Sequence, residues 1–436
     1  METELLALII IVPALTLLLL CGLPVGFTLG GLAVLGTLYV WGPKGLLMIS
    51  NTAYAESTSF ILIAIPLFIF MANVLRNSGL ADDLYEMVYK WFGKIPGGLA
   101  VGTVIICAVF AAMAGVSSVA TVSMGLIALP SMMKRGYHKE LATGCISAGG
   151  ALGILIPPSI IMIIYGSMAE VSIGQLFMAG IVPGILLMTM FCIYALIRCL
   201  INPELGPKVQ ENFSLREKFK SIKGVILPVL LIMAVLGSIY SGAATPTEAA
   251  GIGAFGALIC SFVYGKLTIK NFKESLYSTM GLNAMVLWIL IGAVAFTHLL
   301  AYAGISRLVN EMILGFGLNR WWILIGMQLI FFVLGMVLDP AGIIMLTTPI
   351  FIPLVRELGF DPLWFGILFT INMEMAYITP PFGFNLFIMK AVVPPGITMM
   401  DIYRSIIPFV ILQALCLILV MLWPDIAMYI PSKTAT

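Results

Sequence analysis

The sequence predicts an all-α polytopic membrane protein made of two inverted repeats, with about 10 transmembrane helices and two re-entrant helical hairpins. Three observations lead there. Of the 436 residues, 61% are hydrophobic and 10% charged, far from soluble-domain averages. Glu4 and Lys44 bracket 39 residues without a charge, and Lys94 and Lys134 bracket 39 more. At about 20 residues per span, each stretch holds two spans or one hairpin. Finally, one stretch occurs twice. The first copy runs from Ala112 to Ser159 and the second from Gly335 to Phe382, and Pro130/Pro353, Gly136/Gly359, Pro157/Pro380 and Pro158/Pro381 are each 223 apart. Paired Pro interruptions of apolar segments at matching places in two halves point to a transporter binding site.

Taken in order, the first half (1–201) reads as helices at about 4–21, 25–42 and 57–77 and an amphipathic segment at 80–93. A hairpin follows at 96–132 with its tip near Gly115-Val116-Ser117-Ser118, then a broken helix at 141–168 and a helix at 175–200. Met1-Glu2-Thr3-Glu4 lacks a basic n-region, so the first apolar run is expected to be retained. Residues 202–223, carrying Lys208, Arg216, Lys218, Lys220 and Lys223, read as a polar cytoplasmic linker. The second half (224–436) repeats the order, with helices at about 225–241, 247–265 and 275–301 and an amphipathic segment at 304–318. Its hairpin spans 321–355 with the tip near Leu338-Asp339-Pro340-Ala341, followed by a broken helix at 361–391 and a helix at 401–423.

Five spanning helices per half is an odd number, so the halves must be inverted. Charge tests this independently. Lys90, Lys94, Lys134, Arg135 and Lys139 crowd the base of the first hairpin, whereas Arg320 and Arg356 alone mark the base of the second. With the basic loops in the cytoplasm, both termini fall outside. The net charge of +2 and the absence of a basic stripe give no basis for nucleic-acid binding. The seven Cys lie in apolar segments without metal spacing and are expected as buried free thiols.

Within a bilayer, non-helical backbone survives only in protein or beside a cavity, so the hairpins and broken helices place half-helix ends near the midplane. N-terminal ends favour anions, and C-terminal carbonyls suit cations such as Na⁺. Asp339 before Pro340 reads as N-cap and N1 of a return helix, and Thr379 before Pro380 reads the same way. Ser117 and Ser118 serve the first tip; Gly149, Gly150 and Gly153 allow close approach before Pro157 and Pro158. Asp339 and Glu374 are the intramembrane carboxylates that suggest a site. Thr245-Pro246-Thr247-Glu248 reads as a capping box, and His298 as a packing histidine. No Ser-His-Asp set, HExxH or phosphate loop gives enzyme chemistry a basis.

The ordered set Pro66-Leu67-Phe68, Ser78-Gly79-Leu80-Ala81, Gly115 with Ser117-Ser118, Leu152 to Ser159, Thr245 to Ala250 and Thr379 to Leu386 spans nearly the whole chain. In it the chain resembles the large membrane subunit, M or DctM-type, of tripartite ATP-independent periplasmic transporters. The resemblance implies a Na⁺-driven importer of organic acids, usually carboxylates or sialic acids, working as an elevator in the bacterial inner membrane. It also implies two partners: a periplasmic substrate-binding protein (P type) and a small four-helix membrane subunit (Q type). By position it assigns Na⁺ to Ser117, Ser118, Gly150 and Gly153 in one half and to Asp339 and Thr379, with Glu374 nearby, in the other. Substrate is expected near Ser117, Ser118, Pro157, Pro158, Pro381, Gly383 and Asn385. Ala376 departs from the Gly that the family often has before Thr-Pro-Pro, which puts the backbone of the second Na⁺ site in question. A stand-alone Na⁺/dicarboxylate symporter of the same superfamily is the alternative, and a channel a remote one.

Overall fold

A computed structural model of the chain describes residues 10–434 apart from 12, 20, 210, 337 and 382. Among the described residues there is no strand. Residues 13–19 are helical. Then come α1 (Val25–Trp41), α2 (Leu46–Ser57), α3 (Ala64–Asn77) and α4 (Leu80–Phe92). Next are α5 (Gly98–Ala114), α6 (Ser117–Lys134), α7 (Lys139–Ala151), α8 (Ile160–Ala169) and α9 (Ile173–Ile201). The second half holds α10 (Leu215–Tyr240), α11 (Pro246–Val263), α12 (Ile269–Tyr302), α13 (Ile305–Gly315) and α14 (Arg320–Gly335). It ends with α15 (Pro340–Glu357), α16 (Pro362–Tyr377), α17 (Phe384–Val392), α18 (Met399–Leu422) and α19 (Asp425–Thr434).

The repeat survives in the backbone. α6 and α15 begin and end 223 residues apart, and so do the starts of α7 and α16. Gly136 and Gly359 both close their helices at positive φ, and Pro157–Pro158 and Pro380–Pro381 both have cis bonds. Packing crosses the two halves: α3 lies on α11, and α1 lies on α12. The middle of the molecule is formed by the first halves of the broken helices. Every residue of α7 from Leu141 and of α16 from Leu363 to Ala376 is buried. In contrast α10 and α18 bury one stripe and expose large apolar side chains such as Leu230, Met233, Ile411 and Leu415, as a lipid-facing helix does.

Six helices among the described residues are long and apolar enough to cross a membrane: α9, α10, α11, α12, α15 and α18. A bent pair, Pro43–Ser57 with Ile61–Asn77, adds a seventh with a 55° break. Caps explain many boundaries. Thr245 and Glu248 form the expected capping box with Pro246 at N1 of α11. Thr398 and Asp401 form another on α18, and Asp401 also pairs with Lys139 of α7 at 2.8 Å. Asp401→Ala removes the box and that pair together, and the thermal unfolding midpoint should fall by an amount corresponding to about 1–2 kcal/mol.

The structure corrects several expectations. Residues 215–223 are the first turns of α10 rather than linker, because Ser214 and Glu217 build a capping box that starts the helix. The connection between halves is therefore about 202–214. Helices α2 and α19 were not anticipated. α2 is short and half polar, and is held by Thr52, whose hydroxyl lies 3.0 Å from His298 Nδ1. That contact also makes His298 the packing histidine the sequence suggested. Cys21 is exposed and Cys192 half-buried, unlike Cys107, Cys145, Cys199, Cys260 and Cys416, which are buried and free. Residues 1–9 of the first expected helix lie outside the described residues.

Candidate functional site: a chamber between two helix tips

The first tip is the turn between α5 and α6. Gly115 sits there at φ +60, and a Cβ on it would stand 2.7 Å from the Pro158 carbonyl oxygen, so the turn rests directly on the Pro157–Pro158 break. Below it α6 lies against α7 and the turn that follows it at glycine distance: a Cβ on Gly153 in that turn would be 3.1 Å from the Ser117 backbone, and one on Gly150 of α7 would be 2.0 Å from Thr121 Oγ1. Ser117 opens α6 and is buried. The Asn385 amide donates to Ser117 Oγ at 2.5 Å and to the Ser147 carbonyl at 3.3 Å. Thus α17 of the second half holds the first tip. Asn385 Oδ1 and Ser147 Oγ are buried without hydrogen-bond partners. Two unsatisfied oxygens beside a hydroxyl and glycine-exposed backbone are the donor chemistry a Na⁺ ion takes.

The second tip is the turn between α14 and α15. Asp339 caps α15 as expected, accepting from Ala341 N at 2.9 Å and Gly342 N at 3.2 Å. Ala376 packs directly against Gly335 here. A Cβ on Gly335 would lie 2.3 Å from the Ala376 methyl, so Gly335 supplies the space that Ala376 fills. Thr379, in contrast, is not an N-cap. Its hydroxyl donates to the Met375 carbonyl at 2.7 Å and closes the end of α16. Residues 380 and 381 form a turn, and Gly383, in the left-handed region, starts α17.

The tips meet. Gly115, Val116 and Ser117 from one, and Asp339 and Ala341 from the other, line one chamber of about 100 Å³. Tyr377 at the end of α16, Leu282, Met285 and Val286 of α12, and isoleucines of α3, α8 and the break before α8 form the rest of the wall. A second cavity of about 400 Å³ shares Leu282 with this chamber and adjoins the first tip. Its walls include Ser118 and Val119 of α6, Asn73 and Arg76 of α3, and Ser278 of α12. A polar seam holds α3 to α12 there: Asn73 donates to Thr279 Oγ1 at 3.1 Å and Asn77 to Ser275 Oγ at 3.0 Å.

The structure therefore brings Ser117, Gly150, Gly153 and Asn385 into one cluster and sets Asp339 across the chamber from it. Ser118 faces the outer cavity. Pro157, Pro158, Pro381 and Gly383 shape the breaks rather than line the chamber. Glu374 stands on the opposite face of α16 from Ala376, fully buried beside Gln413 and Cys416 of α18, and its oxygens lack hydrogen-bond partners. Sequence reading missed Ser147 and Arg76. Arg76 had a signal, as the sole charge between Glu56 and Asp82; Ser147 had none.

Comparison with known proteins agrees with this architecture. Residues 12–426 match the family described as tripartite ATP-independent periplasmic transporter, DctM component. The C4-dicarboxylate TRAP transporter large permease protein DctM of Pseudomonas aeruginosa is 34% identical over 92% of this chain and 93% of its own. The ectoine TRAP transporter large permease protein TeaC of Halomonas elongata is 32% identical over 95% and 96%. Among solved structures, the YdaH transporter of Alcanivorax borkumensis superposes with a TM-score of 0.66 at 16% identity, over 97% of this chain and 99% of that one, which is a likeness of fold. With paired breaks, two apposed tips and a family match across nearly its whole length, the chain belongs to the DctM family of TRAP transporter large permeases, which are transport components and not enzymes.

Proposed function

We propose that the chain is the carrier of a Na⁺-driven import system for organic acids, carboxylates or sialic acids, and receives its substrate from a periplasmic binding protein. The observation that supports this best is the meeting of both tips in one chamber. The N-termini of α6 and α15 both open there and favour an anion. The unsatisfied oxygens of Asn385 and Ser147 beside Ser117, and the carboxylate of Asp339 with the turn after Thr379, offer two cation positions.

In this reading α5/α6 and α14/α15 are the two re-entrant pairs, and about 10 other helical passages cross the inner membrane. Both termini are periplasmic and the connection near 202–214 is cytoplasmic. The tips and broken helices travel as one body, elevator fashion, against α1, α3, α10, α11 and α12, and a small four-helix subunit steadies that frame. Amphipathic α4 and α13 link the two parts at the interface.

Uptake in proteoliposomes is the test. With the small subunit and the binding protein present, an inward Na⁺ gradient should drive accumulation, and omitting the binding protein should abolish it. Uptake independent of the binding protein would favour a stand-alone symporter, and uptake driven fully by a proton gradient without Na⁺ would defeat the coupling. Orientation has its own check. A Cys at Lys208 should react with impermeant maleimide from the cytoplasm alone, and one at Ser432 from the periplasm alone; reaction of both from one side would reject the inverted arrangement.

A further inference from the structure

We infer that Arg76 makes the outer cavity an anion-binding vestibule, where the carboxylate or sulfonate of a small organic acid pauses between the tip chamber and water. This rests on reading the chain as an organic-anion carrier, but its physical basis is separate. Arg76 sits in the last turn of α3, half-buried, on a cavity wall shared with Ser118, Asn73 and Ser278. It makes no ion pair among the described residues, although Asp82 and Asp83 stand in the first turn of the next helix. Asn73 and Asn77, on the same helix, are already used in holding α3 to α12, and Arg76 is the charged residue on the cavity wall.

A guanidinium lining a cavity without a carboxylate partner is a fork of donors suited to a planar carboxylate. The cavity shares Leu282 with the chamber and adjoins the first tip, with Ser118 on its wall to offer a hydroxyl. On α12 the order along the helix is the basic turn at Lys270 and Lys273, then Ser278 on the vestibule, then Leu282, then Met285 and Val286 on the chamber. The vestibule thus lies between the chamber and the basic-loop side. The repeat makes the feature one-sided: the position matching Arg76 by the Gly79/Gly304 landmark is Ala301. A cation on the vestibule wall would draw an anion off the tips and hand it on toward the basic-loop side.

The test uses the full chain in proteoliposomes with Cys21→Ser and a reporter, Ser278→Cys. Its modification rate is measured with an anionic reagent, methanethiosulfonate ethylsulfonate, and with the cationic trimethylammonium analogue. Arg76→Gln should lower the anionic-to-cationic rate ratio by about tenfold or more, while Arg76→Lys should keep it near the starting value. Succinate should slow modification when Arg76 is present and not in Arg76→Gln. On the chain with native Arg76, succinate should also suppress phenylglyoxal addition to Arg76, read by mass spectrometry, more than chloride at equal ionic strength. This arm holds even where Arg76→Gln fails to fold. An unchanged rate ratio in Arg76→Gln, or no protection by succinate, overturns the vestibule. A shifted ratio in a protein that takes up no organic acid leaves the vestibule standing and removes the transport reading instead.

Discussion

Asp339→Ala should raise the Na⁺ concentration for half-maximal uptake by at least about tenfold, equivalent to about 1.4 kcal/mol of lost ion affinity. Two effects combine. The side chain accepts two backbone N–H groups at the start of α15, and losing such a cap costs about 1–2 kcal/mol of local stability. It is also the carboxylate at the tip chamber, where an unhydrated cation gains most from a formal charge. Asp339→Asn separates the two, because Asn caps as well as Asp but carries no charge. The Asn variant should keep the thermal midpoint of the parent and still need more Na⁺. A Na⁺ dependence identical to the parent would reduce Asp339 to a helix cap.

Asn385→Leu should all but abolish uptake and should also destabilise the fold. The amide of Asn385 satisfies Ser117 Oγ and the Ser147 carbonyl, both deeply buried, and each buried polar group left without a partner costs about 1–3 kcal/mol. Ser117 is the first residue of α6, so releasing it frees the tip that lines the chamber. Because α17 belongs to the other half, the substitution also cuts a tie between the repeats. A falling thermal midpoint together with lost uptake is the expected pair of results. Normal uptake with Leu at 385 would mean that the first tip is held by glycine packing against α7 alone.

Much of this architecture was legible because it is written in helix breakers and caps. The Pro and Gly landmarks 223 apart marked the paired breaks, and Asp339-Pro340 and Thr245-Pro246 marked helix starts that the structure keeps. Errors arose where the same chemistry has two local uses. Thr379-Pro380 resembles a cap, yet the hydroxyl turns back to Met375, and the next helix takes Gly383 as its N-cap instead. The basic run at 216–223 looked like a loop, although Ser214 and Glu217 already carried the spacing of a capping box. The site itself was legible only in part. The candidate polar residues break the repeat: at the 223 offset Asp339 matches Val116, Thr379 matches Ile156 and Glu374 matches Ala151. Symmetry therefore located the tips but not their chemistry. Contacts between halves, such as Asn385 with Ser117, depend on how the repeats dock, which no spacing along the chain encodes.

The distance between the tip body and its frame tests the account most directly. Leu126 on α6 and Leu230 on α10 both face outward, at 58% and 54% exposure, and accept spin labels without entering the core. In a Cys21→Ser chain shown to transport, labels at these positions should give two distance populations whose ratio shifts with Na⁺ and substrate. One distance, unchanged in every condition while transport continues, would contradict a moving tip body.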